Sequence, residues 1–242
     1  MIEVKNLKKS FDGFDALKGV NLNIKKGSIY GLVGVNGSGK TTIIKHLAGI
    51  YRADSGEIKI GGAEVFDNAT TKSKIAYVSD DLYFFPQYSL KMLGRFYSGM
   101  YKTWSVKRFN ELTKMMGLNL EQRVSRFSKG QQKQVALIIA LAITPEFLLL
   151  DEPIDGLDPI VRKHVFDWII TDVADRQMTV LISSHNLKEM DGICDSVGII
   201  KEGLMITERD LDDLKSEMNK KSISGDLPPT LDEIFIHVYE GV

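Results

Sequence analysis

The stretch Gly34-Val35-Asn36-Gly37-Ser38-Gly39-Lys40-Thr41 follows a short apolar run at 29–33 and precedes a helical pattern at 40–48. It matches the phosphate-loop pattern G-x-x-x-x-G-K-[ST] in the required place, between a strand and a helix. Glycines let the backbone curl so that its N–H groups surround phosphate oxygens, and the helix that follows adds its positive N-terminal end. We therefore predict that Lys40 reaches the β- and γ-phosphates of a nucleotide and that Thr41 ligates Mg²⁺.

A second stretch, Phe147-Leu148-Leu149-Leu150-Asp151-Glu152, predicts a buried strand that ends in two adjacent carboxylates. Open α/β sheets bind ligands at the carboxyl ends of their strands, so these carboxylates are expected beside the phosphate loop. We expect Asp151 to hold Mg²⁺ and Glu152 to polarise an attacking water. A strand followed by an acidic turn is common, but its pairing with a phosphate loop makes the signal specific.

Strands alternate with helices along the chain, which favours an α/β core with a mostly parallel sheet. Strands are predicted at 29–33, 74–79, 147–150, 179–183 and 197–200, with an edge strand at 56–62. Helical spacing with many aromatic residues runs from about 83 to 143 and predicts a helical lobe inserted into that core. The polar segment 216–230 predicts a linker before a final short helix. The chain is thus expected to consist of a main domain, residues 1–216, and a short tail, residues 217–242.

The composition is that of an ordinary globular protein, with 43% hydrophobic and 26% charged residues among 242. The net charge of -1 gives no electrostatic reason to bind nucleic acid or an anionic bilayer directly. No apolar signal segment is visible at the N-terminus, and the longest apolar run, 135–143, is far shorter than the roughly 20 residues of a spanning helix. The single cysteine, Cys194, excludes an internal disulfide and fits a reducing compartment.

Three further stretches accompany the two phosphate-site motifs. They are Phe127-Ser128-Lys129-Gly130-Gln131, Pro153-Ile154-Asp155-Gly156-Leu157-Asp158-Pro159 and Ser183-Ser184-His185. They resemble, in the same order, the signature sequence, the loop linking two cassettes and the switch histidine of the ATP-binding cassette (ABC) proteins. The resemblance runs from Ile2 to about Glu208. It implies a phosphate-loop NTPase core with a mostly parallel sheet, an antiparallel β part at the N-terminus and the inserted α-helical lobe.

The resemblance also implies a site that is shared between two cassettes. Ser128 and the N–H groups of Gly130 and Gln131 lie at a predicted helix N-terminus, where anions bind readily. In the family this helix end faces the γ-phosphate held by the other cassette, and His185 contacts the same phosphate from its own chain. The implied partners are a second cassette, as a homodimer or heterodimer, and an integral membrane permease.

An aromatic residue near the N-terminus is the candidate for stacking on adenine. Phe11, in the stretch Lys8-Lys9-Ser10-Phe11-Asp12-Gly13, matches the family's stacking position. Phe14 is a competing candidate, and a plain core phenylalanine is the third interpretation.

Two positions depart from the family pattern. Lys129 replaces the first signature glycine, although the residues on both sides remain. Asp80 stands where the family usually places a glutamine, and we expect its carboxylate to reach the Mg²⁺ site. We also expect Asp80, rather than Gln87, to couple the nucleotide site to the membrane partner.

Aromatic residues of the lobe occupy the region that, in the family, grips a short helix of the membrane subunit. They are Tyr83, Phe84, Phe85, Tyr88, Phe96, Tyr97, Tyr101 and Trp104. We expect most of these rings to form the lobe's own small core and a few to face outward.

Together these motifs define the predicted site. The catalytic residues are Lys40, Glu152 and His185, and the Mg²⁺ ligands are Thr41, Asp80 and Asp151. The residues predicted to bind ATP are Phe11, Gly34, Asn36, Gly37, Ser38, Gly39, Lys40, Thr41, Thr42, Ser128, Gly130, Gln131 and Asp158.

The resemblance implies the ATP-binding and ATP-hydrolysing subunit of an ABC transporter, and the compact form is most similar to cassettes of bacterial exporters. We expect such a chain to be cytoplasmic and peripheral on the inner face of the cell membrane. The alternative is a soluble ABC ATPase without a pore, such as an iron–sulfur assembly type. A non-hydrolysing cassette is disfavoured because Lys40, Asp151, Glu152 and His185 are all present.

Overall fold

The computed structural model describes residues 1–185, 187–221 and 230–240, which form two sheets surrounded by helices. The first sheet is antiparallel, with the order β2-β1-β4-β5. Its strands are β1 (Ile2–Phe11), β2 (Phe14–Ile24), β4 (Ser55–Ile60) and β5 (Ala63–Glu64). The turn between β1 and β2 is Asp12-Gly13, and both residues have positive φ, 47° and 85°, as a two-residue hairpin of the right-handed twist requires.

The second sheet is mostly parallel, and we expect the site at the edge where its parallel strands end. Its order is β10-β9-β3-β8-β7-β6, and β10 alone runs antiparallel to its neighbour. Its strands are β3 (Ile29–Val33), β6 (Ile75–Val78), β7 (Phe147–Asp151), β8 (Thr179–Ser184), β9 (Ser196–Lys201) and β10 (Leu204–Asp210). Every residue of β3, β7 and β8 is buried, as expected for central parallel strands covered on both faces. The mostly parallel core and the antiparallel N-terminal part are both confirmed.

The described helices cover the second sheet and build the lobe. They are α1 (Lys40–Leu47), α2 (Ala69–Lys72), α3 (Leu90–Met100), α4 (Val106–Met115), α5 (Lys129–Ala142), α6 (Pro159–Arg176), α7 (Leu187–Met190), α8 (Leu211–Lys221) and α9 (Leu231–Glu240). Within these helices the structure shows none that is both long enough and apolar enough to cross a membrane.

Helices α3, α4 and α5 lie in the segment that the sequence predicts as a helical lobe. Each begins at a serine, Ser89, Ser105 or Ser128, whose side chain accepts a hydrogen bond from a backbone N–H in the first turn. Buried residues of α3 and α4 pack in the same hydrophobic cluster as the apolar second half of α5 and one face of β7, Leu148 and Leu150. Helix α5 therefore joins the lobe to the sheet.

Two local predictions differ from the structure. The strand predicted at the edge, 56–62, lies between β1 and β5, because the turn at Gly61-Gly62 adds a two-residue strand outside it. The segment predicted as a linker, 216–230, is helical as far as Lys221, and its residues 222–229 lie outside the described part of the chain.

Candidate functional site

The phosphate loop connects β3 to α1 at the carboxyl edge of the second sheet. Gly39 caps α1 with φ 113°, a conformation that residues with a Cβ rarely adopt. Among the described residues, no side chain caps this helix end. The N–H groups of its first turn are therefore available to an anion.

Lys40 is the first residue of α1, and its side chain is only 6% exposed. Its ammonium donates a hydrogen bond to the carbonyl oxygen of Gly34 at 2.7 Å. It also lies 3.5 Å from Oε1 of Glu152. The lysine is thus folded back over its own loop and partly neutralised by a carboxylate where a phosphate would bind.

Glu152 leaves the end of β7 in the left-handed region, with φ 47°. Its N–H donates to the carbonyl oxygen of Ser183 at 3.2 Å, which ties this turn to the end of β8. Its Oε2 accepts a hydrogen bond from the N–H of His185 at 3.3 Å and lies 3.0 Å from Nδ1 of the same residue. When the proton is on Nδ1, the imidazole donates to this carboxylate. The unusual backbone turn therefore aims the carboxylate at both Lys40 and His185.

Asp151 is the last residue of β7 and is 1% exposed. Its Oδ1 accepts a hydrogen bond from Oγ of Ser183 at 2.7 Å. Its Oδ2 is buried and has no partner among the described residues. A buried carboxylate oxygen without a donor is costly unless another group completes it. A carboxylate oxygen of this kind fits a hard divalent cation such as Mg²⁺. Thr41, whose hydroxyl is a second oxygen ligand, lines the same cavity as Glu152.

The phosphate loop, Asp80 and Glu152 share one cavity of about 480 Å³. Its lining residues are Phe11, Phe14, Ala16, Asn36, Gly37, Gly39, Lys40, Thr41, Thr42, Asp80 and Glu152. One end of this cavity is charged and the other is aromatic. That distribution suits a ligand with a phosphate chain at one end and a flat ring at the other.

Phe11 and Phe14 face each other across the first hairpin and form the aromatic end of the cavity. Neither is a core residue, since they are 38% and 67% exposed. The ring of Phe11 packs edge-on against Tyr51 at 5.3 Å, and the ammonium of Lys9 lies 5.3 Å from its centroid. Phe11 is thus held in place on two sides.

The signature residues lie at the start of α5 and are absent from the lining of this cavity. Ser128 and Gln131 form a reciprocal capping box, in which each side chain accepts a hydrogen bond from the other's N–H, at 3.2 and 3.0 Å. A Cβ on Gly130 would lie 2.8 Å from the carbonyl oxygen of Gly156, so this position needs glycine to let the loop after Glu152 approach. Within one chain, the signature is therefore separate from the phosphate loop.

Asp158, which we predicted to bind nucleotide, caps the N-terminus of α6 in this structure. Its Oδ1 accepts hydrogen bonds from the N–H groups of Ile160 and Val161, both at 3.0 Å. That role fixes the loop between Glu152 and α6.

A second cavity, of about 410 Å³, lies between the end of β6 and the lobe. Most of the aromatic residues face inward and a few are exposed, as expected, but the core they join is shared with the sheet rather than the lobe's own. Those packed partly buried are Phe84, Tyr88, Tyr97, Tyr101 and Trp104, and those exposed are Tyr83, Phe85 and Phe96. Tyr83, Phe84, Tyr97 and Tyr101 line the cavity. Burial raises the pKa of both Tyr97 and Tyr101, so their phenols stay neutral at physiological pH.

Two residues of the site have contacts that the motifs do not predict. Ser183 donates to Asp151, although only its place in the Ser-Ser-His stretch hinted at a role. Lys133, on α5, contacts both Asp80 and the main chain of Glu152. No motif in the sequence singled out Lys133, because its contacts cross between distant segments.

Comparison with known proteins agrees with this geometry. The family described as "ABC transporter" matches residues 17–155, which include the phosphate loop and the carboxylate strand. The chain is 35% identical over 226 residues to the ABC transporter ATP-binding protein YtrB of Bacillus subtilis (strain 168), covering 93% of this chain and 77% of that protein. It is 32% identical over 230 residues to the linearmycin resistance ATP-binding protein LnrL of the same organism, with coverage of 92% and 73%. A solved dimeric structure, the ATP-binding cassette MJ0796 bound to ADP and Pi in a post-hydrolysis state, has a TM-score of 0.79 and 25% identity, covering 87% of this chain and 99% of that chain.

Proposed function

Since the chain belongs to the ABC transporter family, as an ATP-binding subunit, we propose that it hydrolyses ATP to drive a substrate through a separate membrane subunit. The observation that carries this proposal is that Lys40 and Glu152 line one cavity, while Asp151 precedes Glu152 at the end of β7. Lys40 lies 3.5 Å from Glu152, and Oδ2 of Asp151 is buried without a partner in the described part of the chain. These are the parts needed to bind a phosphate chain, hold its cation and orient a water.

In the proposed reaction, the γ-phosphate takes the place of the Glu152 carboxylate beside Lys40. Glu152 is then free to accept a proton from the attacking water, as a general base. The 3.0 Å contact with His185 orients the Glu152 carboxylate before the nucleotide binds. Once the γ-phosphate is bound, His185 is available to contact it.

Thr41 and Asp151 would hold Mg²⁺, with Asp80 completing the set from the edge of the cavity. Bound there, Mg²⁺ supplies positive charge that stabilises phosphate oxygens as the bond breaks. The unpartnered Oδ2 of Asp151 supports this assignment. Phe11, held by Tyr51, is the proposed stacking surface for adenine.

We propose that two cassettes complete each other's sites. The start of α5 does not line its own chain's cavity. We infer that the N–H groups of Lys129 and Gly130, which the Ser128–Gln131 capping box does not use, serve the phosphate loop of a second cassette. The dimeric cassette to which this chain is similar supports that arrangement.

The cavity beneath Tyr83 and Phe84 is the proposed docking site for the membrane permease. The chain would then be peripheral on the inner face of the cell membrane. A relative named for linearmycin resistance supports export, because resistance is served by moving a compound out of the cell.

The test is to purify the chain with its native partners in mild detergent, and then to measure phosphate release with Mg-ATP. We expect an integral membrane protein to co-purify and the complex to hydrolyse ATP, with inverted vesicles accumulating the exported substrate. Recovery of soluble assembly proteins alone would favour the iron–sulfur type of ABC ATPase. An active complex whose turnover survives Lys40→Met would contradict the assigned site.

A further inference from the structure

Lys133 lies on the second turn of α5, and its side chain is 13% exposed. Its ammonium donates to the main-chain carbonyl oxygen of Glu152 at 2.9 Å. The same ammonium lies 3.0 Å from Oδ1 of Asp80. One side chain therefore joins three segments: the helix of the lobe, the loop after β6 and the turn after β7.

The contact with Glu152 falls on a residue whose backbone is in an uncommon conformation. A non-glycine residue at φ 47° persists only when its surroundings hold it there. The Glu152 N–H is held by Ser183, and its carbonyl is held by Lys133. Because a hydrogen bond from an ammonium is stronger than one from a neutral donor, Lys133 is the firmer of the two restraints.

The contact with Asp80 reaches the nucleotide cavity. The Asp80 side chain is 59% exposed and lines that cavity together with Thr41 and Lys40. In the structure its carboxylate pairs with Lys133 rather than with the phosphate loop. If Asp80 turns towards a bound cation, Lys133 keeps its hydrogen bond to Glu152 but loses its counter-charge. Binding of a cation in the cavity therefore changes the electrostatic environment of α5.

We propose that Lys133 is a positioning residue that fixes the Glu152 turn and links it to the lobe through α5. A shift of the lobe relative to the sheet then moves the carboxylate that orients water, without any change in the phosphate loop. The kinetic consequence rests on the proposed ATP hydrolysis. The restraint on the Glu152 turn does not rest on ATP hydrolysis, because Lys133 contacts Glu152 in the chain without nucleotide.

The experiment compares Lys133→Met, which keeps length but removes the donor, with Lys133→Arg, which keeps a charged donor. Lys114→Met, an exposed lysine of α4, is the matched control. Four quantities are measured on the full chain: amide hydrogen exchange of residues 147–158 without nucleotide, the dissociation constant for ATP, and both kcat and KM with Mg-ATP. Lys133→Ala, which also removes the donor, replaces Lys133→Met if the latter does not fold.

We expect Lys133→Met to speed exchange at residues 152–156 about tenfold, because the local opening becomes easier. We expect kcat to fall by about 10- to 100-fold as the carboxylate is misplaced, with the ATP dissociation constant within about twofold of the unsubstituted chain. Lys133→Arg is expected to keep the exchange rate and kcat close to those of the unsubstituted chain, and Lys114→Met is expected to change neither of them.

Unchanged exchange and unchanged kcat in Lys133→Met would overturn the inference. Equal loss of kcat in the Met and Arg variants, with normal exchange, would also overturn it. Faster exchange in Lys133→Met, reversed by Arg, in a chain that shows no ATP turnover at all would support the restraint and refute the proposed hydrolysis.

Discussion

The carboxylate of Asp172 lies 2.7 Å from the guanidinium of Arg108, and this ion pair joins α6 of the sheet layer to α4 of the lobe. The same Oδ2 also accepts from Arg176, one turn further along α6, at 2.7 Å. The Asp172 side chain is 3% exposed, while the two arginines are 24% and 31% exposed. A single buried acid thus serves two cations at the junction between lobe and core.

Removing that acid should cost stability. Asp172→Ala leaves two partly buried arginines without their counter-charge, and we expect the free energy of unfolding to fall by about 3 kcal/mol. Glu111→Ala breaks an exposed pair with Lys107 on α4 and is expected to cost no more than about 0.5 kcal/mol. Urea unfolding of both variants measures the two changes in the free energy of unfolding. Similarly small decreases in the two variants would mean that the buried pair does not stabilise the junction.

Phe11 should contribute to nucleotide affinity rather than to turnover. Its ring is exposed at the cavity and braced by Tyr51, so we expect Phe11→Ala to weaken ATP binding by about 1–3 kcal/mol, the range for stacking on nucleic-acid bases. kcat at saturating ATP should hardly change. Phe14→Ala, on the partner strand of the hairpin, is the control. A loss confined to Phe14→Ala would move the stacking role to that residue.

The shared site can be tested with mixed dimers. Ser128→Arg puts bulk and charge at the start of α5, outside its own chain's cavity, and should damage the site whose phosphate loop belongs to the partner. Crosslinked heterodimers that carry Ser128→Arg on one chain, and Lys40→Met on the same or the opposite chain, show whether the signature acts on the partner's phosphate loop or on its own. With both substitutions on one chain, Lys40→Met damages the site built on that chain's phosphate loop, and Ser128→Arg damages the site built on the partner's phosphate loop. Both sites are then expected to fail. With the substitutions on opposite chains, one site carries both defects and the other keeps activity. The reverse pattern would show that the signature acts within its own chain.

The central parts of the fold were predictable because local pattern and tertiary position agree there. The run at 29–33 forms β3 with the predicted bounds, and Gly39 takes the positive φ that the phosphate loop requires. The family resemblance also led to the correct fold class. The sequence does not predict the two long strands of the first hairpin individually, because their burial alternates irregularly around several register shifts.

The contacts that cross between distant segments could not be read from the sequence. Lys133 lies in the polar first part of α5, residues 129–134, where nothing distinguishes it from its polar neighbours, and only folding brings it to Glu152. Asp172 looks like an ordinary helix-surface acid until α4 packs against it. The capping role of Asp158 was also hidden, because a loop aspartate before a proline suits either a ligand or a helix cap.

The proposed hydrolysis depends most on Glu152 as the general base, and Glu152→Gln tests that role directly. The amide keeps the shape but cannot accept the proton from water, and it removes the charge that faces Lys40 across 3.5 Å. Glu146→Gln, just before the same strand and exposed, is the matched control. Phosphate release and sizing chromatography are measured with Mg-ATP. We predict that Glu152→Gln binds ATP, accumulates as an ATP-bound dimer and releases phosphate at least about 100-fold more slowly, while Glu146→Gln behaves as the unsubstituted chain. Hydrolysis by Glu152→Gln at the unsubstituted rate would contradict the account.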